Sequence, residues 1–492
     1  MTNDGDKLTR RRALEVGGTA LAVSGWPAAG ALAIEHGSGA AELIKAKPWS
    51  SESPFLRGVL MPVFDERDDA HLAVQGEIPR SLRGVFMRNG PNPLTAPDDY
   101  YVYPFDGAGM IHAVYIENGR ARYRNRWVHT KELLAEHAAG HRIYNSSFAP
   151  PPNADLANTN IILHGGRYLA LFEAGVPYEL DRNLATVGPF NYNGKLPTVM
   201  SAHPKRDPTT GELLSIAYNG QTGALTYLRA DKTGSLDRVV PFQAPWPTMI
   251  HDIAITERHV VAFTGPAVLG QSRSGPPVSW QPERGSMVAV VPRDATTAAD
   301  IKWIKGAPFF QFHVMNAFED GNRIEVTVPW YDSFSLSKPS TRLELHRLVI
   351  DTEKNTMADQ TVDDRACEFP RVNETHLGRR AQFGYVGLRD PRPNEARQGG
   401  AFESIARYDL ATGNKVVHQF PAGMTVGESV FVPDPAGKAE ADGFIFSFVQ
   451  DAASAKGSFV ILDARDLAAR PLATVQLPRR VPSGLHGSWM PA

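Results

Sequence analysis

Short runs of alternating apolar and polar residues, joined by tight turns, recur along most of this chain. Four stretches show the pattern most clearly, each around a central turn pair: residues 113–124 around Asn118-Gly119, 161–172 around Gly165-Gly166, 318–328 around Asp320-Gly321, and 407–417 around Thr412-Gly413. Such pairs readily adopt the backbone conformations that two-residue hairpin turns require. The sequence therefore predicts many β-hairpins, whereas helical periodicity is scarce and is best over residues 130–139.

The hairpins continue through about 440 residues without the strand–helix alternation of a parallel sheet, which favours an all-β repeat architecture such as a propeller. Seven blades would leave roughly 60 residues for each, more than the ~40–50 of a minimal blade. We expect the excess in long loops on one face. A pair of β-sandwiches fits the same periodicity and stays open as an alternative.

The N-terminus has a different character. Arg10-Arg11-Arg12 precedes a weakly apolar stretch from Val16 to Ile34, and Ala-x-Ala cleavage sequences occur at residues 29–31 and 31–33. This pattern is typical of a twin-arginine export signal, with a basic disordered leader as the alternative. The twin-arginine route carries folded proteins, so we expect export to a bacterial periplasm, or a cytoplasmic protein if the signal is not used.

We accordingly divide the chain into a signal at residues 1–34, a polar linker at 35–52 and a single folded β domain at 53–492. After the leader, no run approaches the roughly 18 unbroken apolar residues of a membrane span.

Composition excludes several classes of protein. The formal net charge is −2, and no block of lysine and arginine follows residue 12, so a nucleic-acid-binding protein is not indicated. The single cysteine, Cys367, excludes an internal disulfide and a cysteine-based metal cage.

Histidines carry the main chemical signal. Four of the fifteen stand beside glycine, proline, aromatic or aspartate residues near the end of an apolar run: His203 in Ser-Ala-His-Pro, His251 in Met-Ile-His-Asp, His313 in Phe-His-Val-Met and His486 in Leu-His-Gly-Ser-Trp. If a large fold brings them together, neutral imidazoles without cysteine indicate iron, zinc or copper. Six others have polar neighbours and are expected at the surface: His71, His129, His137, His141, His259 and His418.

Three glutamates lie in apolar settings: Glu173, Glu368 and Glu428. A carboxylate among apolar neighbours is costly unless it is paired or hydrogen-bonded. One partner would be the outer nitrogen of a metal-bound imidazole, whose orientation and basicity the carboxylate would then fix. A salt bridge with arginine is the alternative, and Arg371 is the obvious competitor for Glu368.

Eight short sequence motifs, in order over some 430 residues, resemble those of the carotenoid cleavage oxygenase family. This family includes enzymes that cleave carotenoids or stilbenes and the animal retinoid isomerase. The motifs are residues 84–93, 105–112, 202–212, 249–257, 312–317, 368–371, 427–428 and 485–489.

This resemblance implies a seven-bladed propeller with a dome of loops and helices over one face. It also implies one ferrous ion per chain on the propeller axis, held by His203, His251, His313 and His486. Glu173, Glu368 and Glu428 would form the surrounding shell, which leaves one histidine, by the family pattern His203, without a carboxylate.

The implied activity is oxidative cleavage of a C=C bond in a carotenoid or apocarotenoid, with dioxygen as co-substrate. Because both oxygen atoms and all four electrons enter the two carbonyl products, no organic cofactor is required, and the chain shows no convincing dinucleotide or phosphate loop. A small apolar alkene would need a dry tunnel, and an apolar tunnel mouth leaves peripheral membrane contact open. Candidate tunnel residues are Phe309, Phe310, Phe312, Trp330, Tyr331 and Phe334, with Tyr101 and Tyr103 at a polar end.

Three other functions stay open. A stilbenoid or vinyl-phenol substrate would give aromatic aldehydes, although stilbene cleavers tend to carry a lysine where Glu132 stands here. The retinoid branch implies isomerisation or ester cleavage. A propeller that only binds a ligand is the non-enzymatic alternative, and it would have no physical need for seven metal-shell residues.

Overall fold

The computed structural model describes residues 43–53, 56–96, 106–144, 155–270, 278–335, 340–389, 402–451, 454 and 456–492. These residues belong to one compact unit, Leu43–Ala492. The expected signal, residues 35–42 of the expected linker, and Tyr101 and Tyr103 lie outside the described residues.

The described chain is built almost entirely of short strands. In chain order they are β1 Arg67–Asp69, β2 Val74–Gly76, β3 Gly84–Arg88, β4 Met110–Glu117, β5 Arg120–Trp127, β6 Asn160–His164, β7 Arg167–Leu171, β8 Tyr178–Leu180, β9 Thr186–Pro189, β10 Lys205–Arg206, β11 Leu213–Tyr218, β12 Ala224–Ala230, β13 Leu236–Gln243, β14 Ile253–Ile255, β15 His259–Thr264, β16 Ala267–Leu269 and β17 Val278–Trp280. They continue as β18 Ser286–Pro292, β19 Lys302–Gly306, β20 Asn316–Asp320, β21 Arg323–Tyr331, β22 Leu343–Asp351, β23 Thr356–Asp363, β24 Cys367–Val372, β25 Phe383–Leu388, β26 Ser404–Asp409, β27 Lys415–Gln419, β28 Met424–Val426, β29 Val430–Pro433, β30 Gly443–Asp451, β31 Lys456–Asp463, β32 Ala473–Gln476 and β33 Gly487–Pro491.

Helices are few among the described residues. The α-helix α1 spans Lys131–Ala139, and its N-cap is Thr130, whose side chain accepts from the Leu133 amide. It ends at Gly140, which adopts φ 71°. Single 3-10 turns occur at Gly58–Leu60, Pro282–Arg284, Ala298–Asp300 and Glu374–His376. None of these helices has the length and apolar character needed to cross a membrane.

The strands pair into seven antiparallel sheets, apart from the small β16–β17 hairpin. The sheets are blade 1 (β1-β5-β4-β3-β33), blade 2 (β6 to β9), blade 3 (β10 to β13), blade 4 (β14-β15-β18-β19), blade 5 (β20 to β23), blade 6 (β24 to β27) and blade 7 (β2-β32-β31-β30-β28, with β29 on β30). This is a seven-bladed β-propeller, so the predicted fold class is confirmed and the β-sandwich alternative is wrong.

Buried side chains join every neighbouring pair of blades. Separate apolar clusters lie between blades 1 and 2, 2 and 3, 3 and 4, 4 and 5, 5 and 6, 6 and 7, and 7 and 1. At the last of these contacts, the ring of Phe86 lies 5.2 Å from that of Phe459 and 5.5 Å from that of Phe448. Because each blade is covered on both faces, middle strands such as β4 and β30 are buried almost throughout, whereas β5 and β21 still alternate between buried and less buried residues.

Strands from both ends of the chain close the ring. The last strand, β33, pairs with β3 from Gly84↔Pro491 to Arg88↔Gly487. The early strand β2 pairs with β32, close to the C-terminus. Blades 1 and 7 therefore each combine N-terminal and C-terminal segments, which holds the circular sheet arrangement together.

The hairpin turns lie where the sequence predicts them. Asn118 and Gly119, between β4 and β5, have φ values of 52° and 71°. Gly165 and Gly166, between β6 and β7, have φ values of 56° and 76°. Positive φ at both central residues is the type I′ geometry, which matches the twist of the paired strands. The predicted helix near residues 130–139 is α1.

Two features differ from the expectations. His418, expected at the surface, is buried, and its Nδ1 lies 2.9 Å from the Leu467 carbonyl oxygen, because it sits on β27 against blade 7. Within the expected linker, Ile44 is also buried, and its amide donates to a carboxylate oxygen of Glu66 at 3.0 Å. The dome of loops and helices expected over one face of the propeller stays a prediction.

Candidate metal centre

Four histidines from four blades meet inside the propeller. Each of His203, His251, His313 and His486 offers one ring nitrogen, and these four nitrogens all lie within 4.8 Å of one another. The Nε2 of His313 lies 3.2 Å from that of His251 and 3.1 Å from that of His486. The ring of His203 lies 4.5 Å from that of His251. None of the four residues is more than 9% exposed.

The topology explains this convergence. His203 precedes β10, His251 precedes β14, His313 precedes β20 and His486 precedes β33. Each of these strands lies at an edge of its sheet. β10, β14 and β20 are also the first strands of blades 3, 4 and 5. Because the innermost edge strands of all blades line the same axis, residues just before them meet at one point.

Three glutamates, of which Glu368 and Glu428 are buried, hold three of the imidazoles through Nδ1. The Nδ1 of His251 lies 3.1 Å from Glu173, that of His313 lies 2.6 Å from Glu368 and that of His486 lies 2.9 Å from Glu428. Within the described part of the chain, no carboxylate bonds to the ring of His203. The structure thus brings all seven candidate site residues together.

Each glutamate has a further, half-buried partner that the sequence analysis missed. The hydroxyl of Tyr218 donates to Glu173 at 2.7 Å, and that of Tyr331 donates to Glu368 at 3.0 Å. The guanidinium of Arg371 donates to Glu428 at 3.2 Å.

The suspected salt bridge of Arg371 with Glu368 is therefore wrong, because the arginine extends to Glu428 on the next blade. Strand spacing gives no direct signal for such contacts, since all three partners come from other segments of the chain.

Burial keeps two of the imidazoles, those of His203 and His486, neutral by lowering the pKa of each ring. Burial, followed by the neighbouring imidazoles, holds the pKa of His203 well below its ordinary value. Burial also lowers the pKa of His486 to about 4, although Glu428 acts in the opposite direction. Burial opposes the charge of Glu428 itself, but Arg371 and then His486 lower its pKa to about 2. Neutral imidazole is the form that binds a metal ion.

His251 is different in the metal-free protein. Burial acts against its charge, but the carboxylate of Glu173 prevails and raises the pKa of His251. One imidazole of the cluster can therefore carry a proton when no metal is bound. Since a metal ion and this proton compete for the same site, metal binding should release the proton.

The tautomers fit a metal ion at the centre. An imidazole whose Nδ1–H donates to a glutamate presents a lone pair on Nε2. The Nε2 of His313 then faces that of His486 across 3.1 Å and that of His251 across 3.2 Å. A proton on His251 relieves only the second of these contacts, whereas a metal ion among the rings relieves both. The Nε2 of His203 is buried without any hydrogen-bond partner. A set of four nitrogen donors suits iron, zinc or copper better than magnesium or calcium.

An aromatic cluster adjoins the histidines. The ring of Phe312 stands nearly perpendicular to that of His251 at 5.3 Å. Phe310 and Phe334 stack at 4.2 Å, and Tyr331 lies 5.6 Å from Phe312. Four of the six aromatic candidates therefore line this region. The other two do not: Phe309 and Trp330 pack in the apolar cluster between blades 4 and 5.

A cavity of about 420 Å³ borders the histidines. Its lining includes His203, Lys205, Asp252, Arg371 and Glu428. The centre is thus bordered by an aromatic cluster and by a more polar cavity lined with charged side chains.

Comparison with known proteins agrees with this geometry. The family described as retinal pigment epithelial membrane protein matches residues 60–491. A carotenoid cleavage oxygenase of Mycobacterium tuberculosis is 33% identical over 506 residues, covering 91% of this chain and 99% of that protein. An isoeugenol monooxygenase of Pseudomonas nitroreducens is 33% identical, covering 89% and 98%. An apocarotenoid-15,15'-oxygenase of Synechocystis is 32% identical, covering 85% and 92%.

Solved structures give the same result. The lignostilbene dioxygenase of Pseudomonas brassicacearum superposes with a TM-score of 0.85 at 31% identity, covering 91% of this chain and 100% of that one. Cobalt-substituted Synechocystis apocarotenoid oxygenase gives a TM-score of 0.79 at 31% identity, covering 89% and 99%. The chain is therefore a member of the carotenoid cleavage oxygenase family.

Proposed function

We propose that this protein is a non-haem ferrous dioxygenase that cleaves one C=C bond of a carotenoid or apocarotenoid into two carbonyl products. The observation that carries this proposal is the buried cluster of four imidazoles, three of them held through Nδ1 by glutamates, beside aromatic side chains. The sequence likeness to two carotenoid-type oxygenases over nearly their whole length supports the same substrate class.

The residues of the chain would hold the ion and shape its surroundings. His203, His251, His313 and His486 would hold it, and the glutamates would fix ring orientation and offset positive charge without direct contact. A ferrous ion bound there would supply the redox chemistry that activates dioxygen toward an alkene.

Side chains around the centre would do the remaining work. Tyr218 donates to the Glu173 oxygen that also contacts His251. Tyr331 donates to the Glu368 oxygen that does not contact the imidazole. Phe312 and its aromatic neighbours offer an apolar surface that would place an alkene near the histidines and exclude water.

The overall reaction balances without another reactant. One alkene and one dioxygen give two carbonyl compounds, so the C=C bond breaks, two C=O bonds form and both oxygen atoms are retained. The alkene carbons are oxidised and dioxygen is reduced, and no external electron donor is consumed.

The direct test is aerobic incubation of iron-loaded protein with an apocarotenal, with oxygen uptake and mass analysis of the products. We expect one dioxygen consumed for each alkene cleaved, and one ¹⁸O atom from ¹⁸O₂ in each of the two aldehydes when they are trapped rapidly. His251→Ala should lose the metal and the activity.

His346→Ala is the matched control. His346 is also buried and bonded to a glutamate, Glu344, at 2.9 Å, but it lies within blade 5. This variant should keep its metal. Cleavage by metal-free protein, or products containing oxygen from water alone, would contradict the proposal.

A phenylpropenoid or stilbenoid alkene is the second candidate substrate. It is favoured by the 33% identity to an isoeugenol monooxygenase and by the TM-score of 0.85 with a lignostilbene dioxygenase. Parallel assays with a hydroxystilbene and isoeugenol decide between the two classes. A kcat/KM at least tenfold higher for a phenolic alkene than for apocarotenals would favour this second candidate.

We further propose that the protein is exported by the twin-arginine route. The support is the arginine run at residues 10–12 followed by the apolar stretch and small-residue cleavage sequences. A fusion of residues 1–52 to a reporter that requires twin-arginine transport tests this. Reporter export that survives replacement of Arg11 and Arg12 by lysine would contradict the proposal, as would no export at all.

A further inference from the structure

One buried carboxylate, that of Asp252, joins three segments of the metal centre. Asp252 directly follows His251 and is 1% exposed. Its Oδ1 lies 2.7 Å from the Nζ of Lys205, and its Oδ2 lies 3.0 Å from the same Nζ. Oδ2 also accepts from the Val314 amide at 2.8 Å, and Oδ1 accepts from the Ile253 amide at 2.7 Å.

The contacts of Asp252 all lie next to histidines of the cluster. Lys205 is two residues after His203, Asp252 is one residue after His251 and Val314 is one residue after His313. A single side chain therefore fixes the relative positions of the backbone segments that carry three of the four imidazoles. These segments belong to blades 3, 4 and 5, which apolar clusters also join.

His203 is the imidazole that most needs such support. The other three rings are each oriented by a glutamate on Nδ1, whereas the ring of His203 has no carboxylate partner in the described part of the chain. Two contacts hold the segment around His203 instead. The side-chain amide of Asn160 donates to the Ala202 carbonyl at 3.0 Å, and Lys205 pairs with Asp252.

We propose that Asp252 and Lys205 form a positioning pair that sets His203 in register with His251 and His313 for metal binding. The inference rests on the proposed metal site at the four histidines. The pair acts through the backbone, and neither side chain needs to touch the metal or the substrate.

The chemistry of the pair explains why both members are required. Asp252 accepts two amide N–H groups and an ammonium, so its two oxygens are fully used. An asparagine there would turn an NH₂ group toward a hydrogen-bond donor, either the Lys205 ammonium or a backbone amide. Without Lys205, the carboxylate would stay buried with two amide donors but no counter-charge, and the His203 segment would lose its link to blade 4.

The experiment is a Co(II) titration of metal-free protein, with affinity measured by chelator competition and geometry read from the visible d–d absorption of the bound ion. Outer groups that orient metal ligands typically change affinity by about 10- to 100-fold when removed. We expect Asp252→Asn to weaken Co(II) binding at least about tenfold and to change the d–d spectrum. Lys205→Met should act in the same direction, and it serves as the second test if Asp252→Asn does not fold.

Asp363→Asn is the matched control. Asp363 is also an aspartate whose side chain is little exposed and is paired with a lysine, Lys415. It accepts from the Arg365 amide at 2.8 Å and the Tyr408 hydroxyl at 2.8 Å. It joins blades 5 and 6 away from the histidines. This variant should lose stability while its folded form keeps wild-type Co(II) affinity and spectrum.

The outcomes separate the two proposals. Wild-type protein that binds no Co(II) would refute the metal site itself. Wild-type protein that binds Co(II), together with Asp252→Asn or Lys205→Met variants of unchanged affinity and spectrum, would overturn the positioning role alone. A loss of affinity as large in Asp363→Asn as in Asp252→Asn would also overturn it, since the effect would then be one of general stability.

Discussion

Replacing Arg371 with methionine removes the guanidinium that pairs with the buried carboxylate of Glu428. Burial opposes the charge of Glu428, but Arg371 and then His486 lower its pKa to about 2 from an ordinary 4.5. Because a tenfold change in proton affinity equals about 1.4 kcal/mol, these surroundings stabilise the folded, charged form by about 3 kcal/mol. The loss of one partner from a buried ion pair gives a similar figure, about 3–5 kcal/mol.

The sign of the pH dependence follows from the same pKa. In the wild-type protein, the folded pKa of Glu428 lies below that of the unfolded chain, so the stabilisation is present above pH 4.5 and is lost as the pH falls through about 2. In Arg371→Met, burial prevails and the pKa of Glu428 should rise above its ordinary value. The variant should therefore be least stable near pH 7.5, and its deficit relative to the wild-type protein should become smaller as the pH falls toward 5.

The assay is equilibrium urea unfolding of the metal-free protein, followed by the fluorescence of its eight tryptophans. At pH 7.5, Arg371→Met should lose about 3 kcal/mol, and Arg371→Met/Glu428→Gln should be less destabilised than the sum of the single variants by at least about 1 kcal/mol. Arg465→Met is the control, because Arg465 is exposed and its pair with Asp463 should contribute little to the free energy of unfolding. A loss below about 1 kcal/mol for Arg371→Met, or strictly additive variants, would refute the reasoning.

Three other predictions address the site, the pH response and the ring closure. Tyr331→Phe removes a 3.0 Å hydrogen bond to Glu368, so Co(II) affinity should fall about tenfold in the chelator titration; unchanged affinity would contradict this. Burial raises the pKa of Asp155 to about 7 from an ordinary 3.8, so the free energy of unfolding of the wild-type protein should decline as the pH rises from about 4 to about 7. Asp155→Asn should abolish that decline in urea unfolding, and parallel pH profiles of the two proteins would refute the assignment. Deletion of residues 487–492 removes β33 from blade 1 and should abolish cooperative unfolding and soluble yield; a wild-type urea midpoint would contradict the role of β33 in closure.

Local sequence chemistry predicted the repeating units of the fold well. Asn118-Gly119 and Gly165-Gly166 specify their turns through positive φ, and the Thr130 N-cap specifies the start of α1. These signals are confined to a few adjacent residues, so they can be read without knowing the remainder of the chain. The burial of His418 was missed because it depends on a neighbouring blade whose position no local pattern reveals.

The centre was predictable for a different reason. Each histidine and glutamate of the centre stands in an apolar stretch of sequence, which marks it as unusual without reference to the rest of the chain. Their partners are not, because Tyr218, Arg371 and Asp252 are ordinary residues whose significance comes only from side chains on other blades. The aromatic candidates illustrate the same limit: Phe309 and Phe310 are adjacent in sequence, yet Phe309 packs between blades while Phe310 joins the cluster beside the histidines.

X-ray absorption at the iron K-edge, combined with metal analysis of the anaerobically loaded protein, tests the existence of the centre most directly. We predict close to one iron for each chain and a first coordination sphere containing four imidazole nitrogens. A sphere with three or fewer imidazoles, or with a protein carboxylate bound to the iron, would contradict the account.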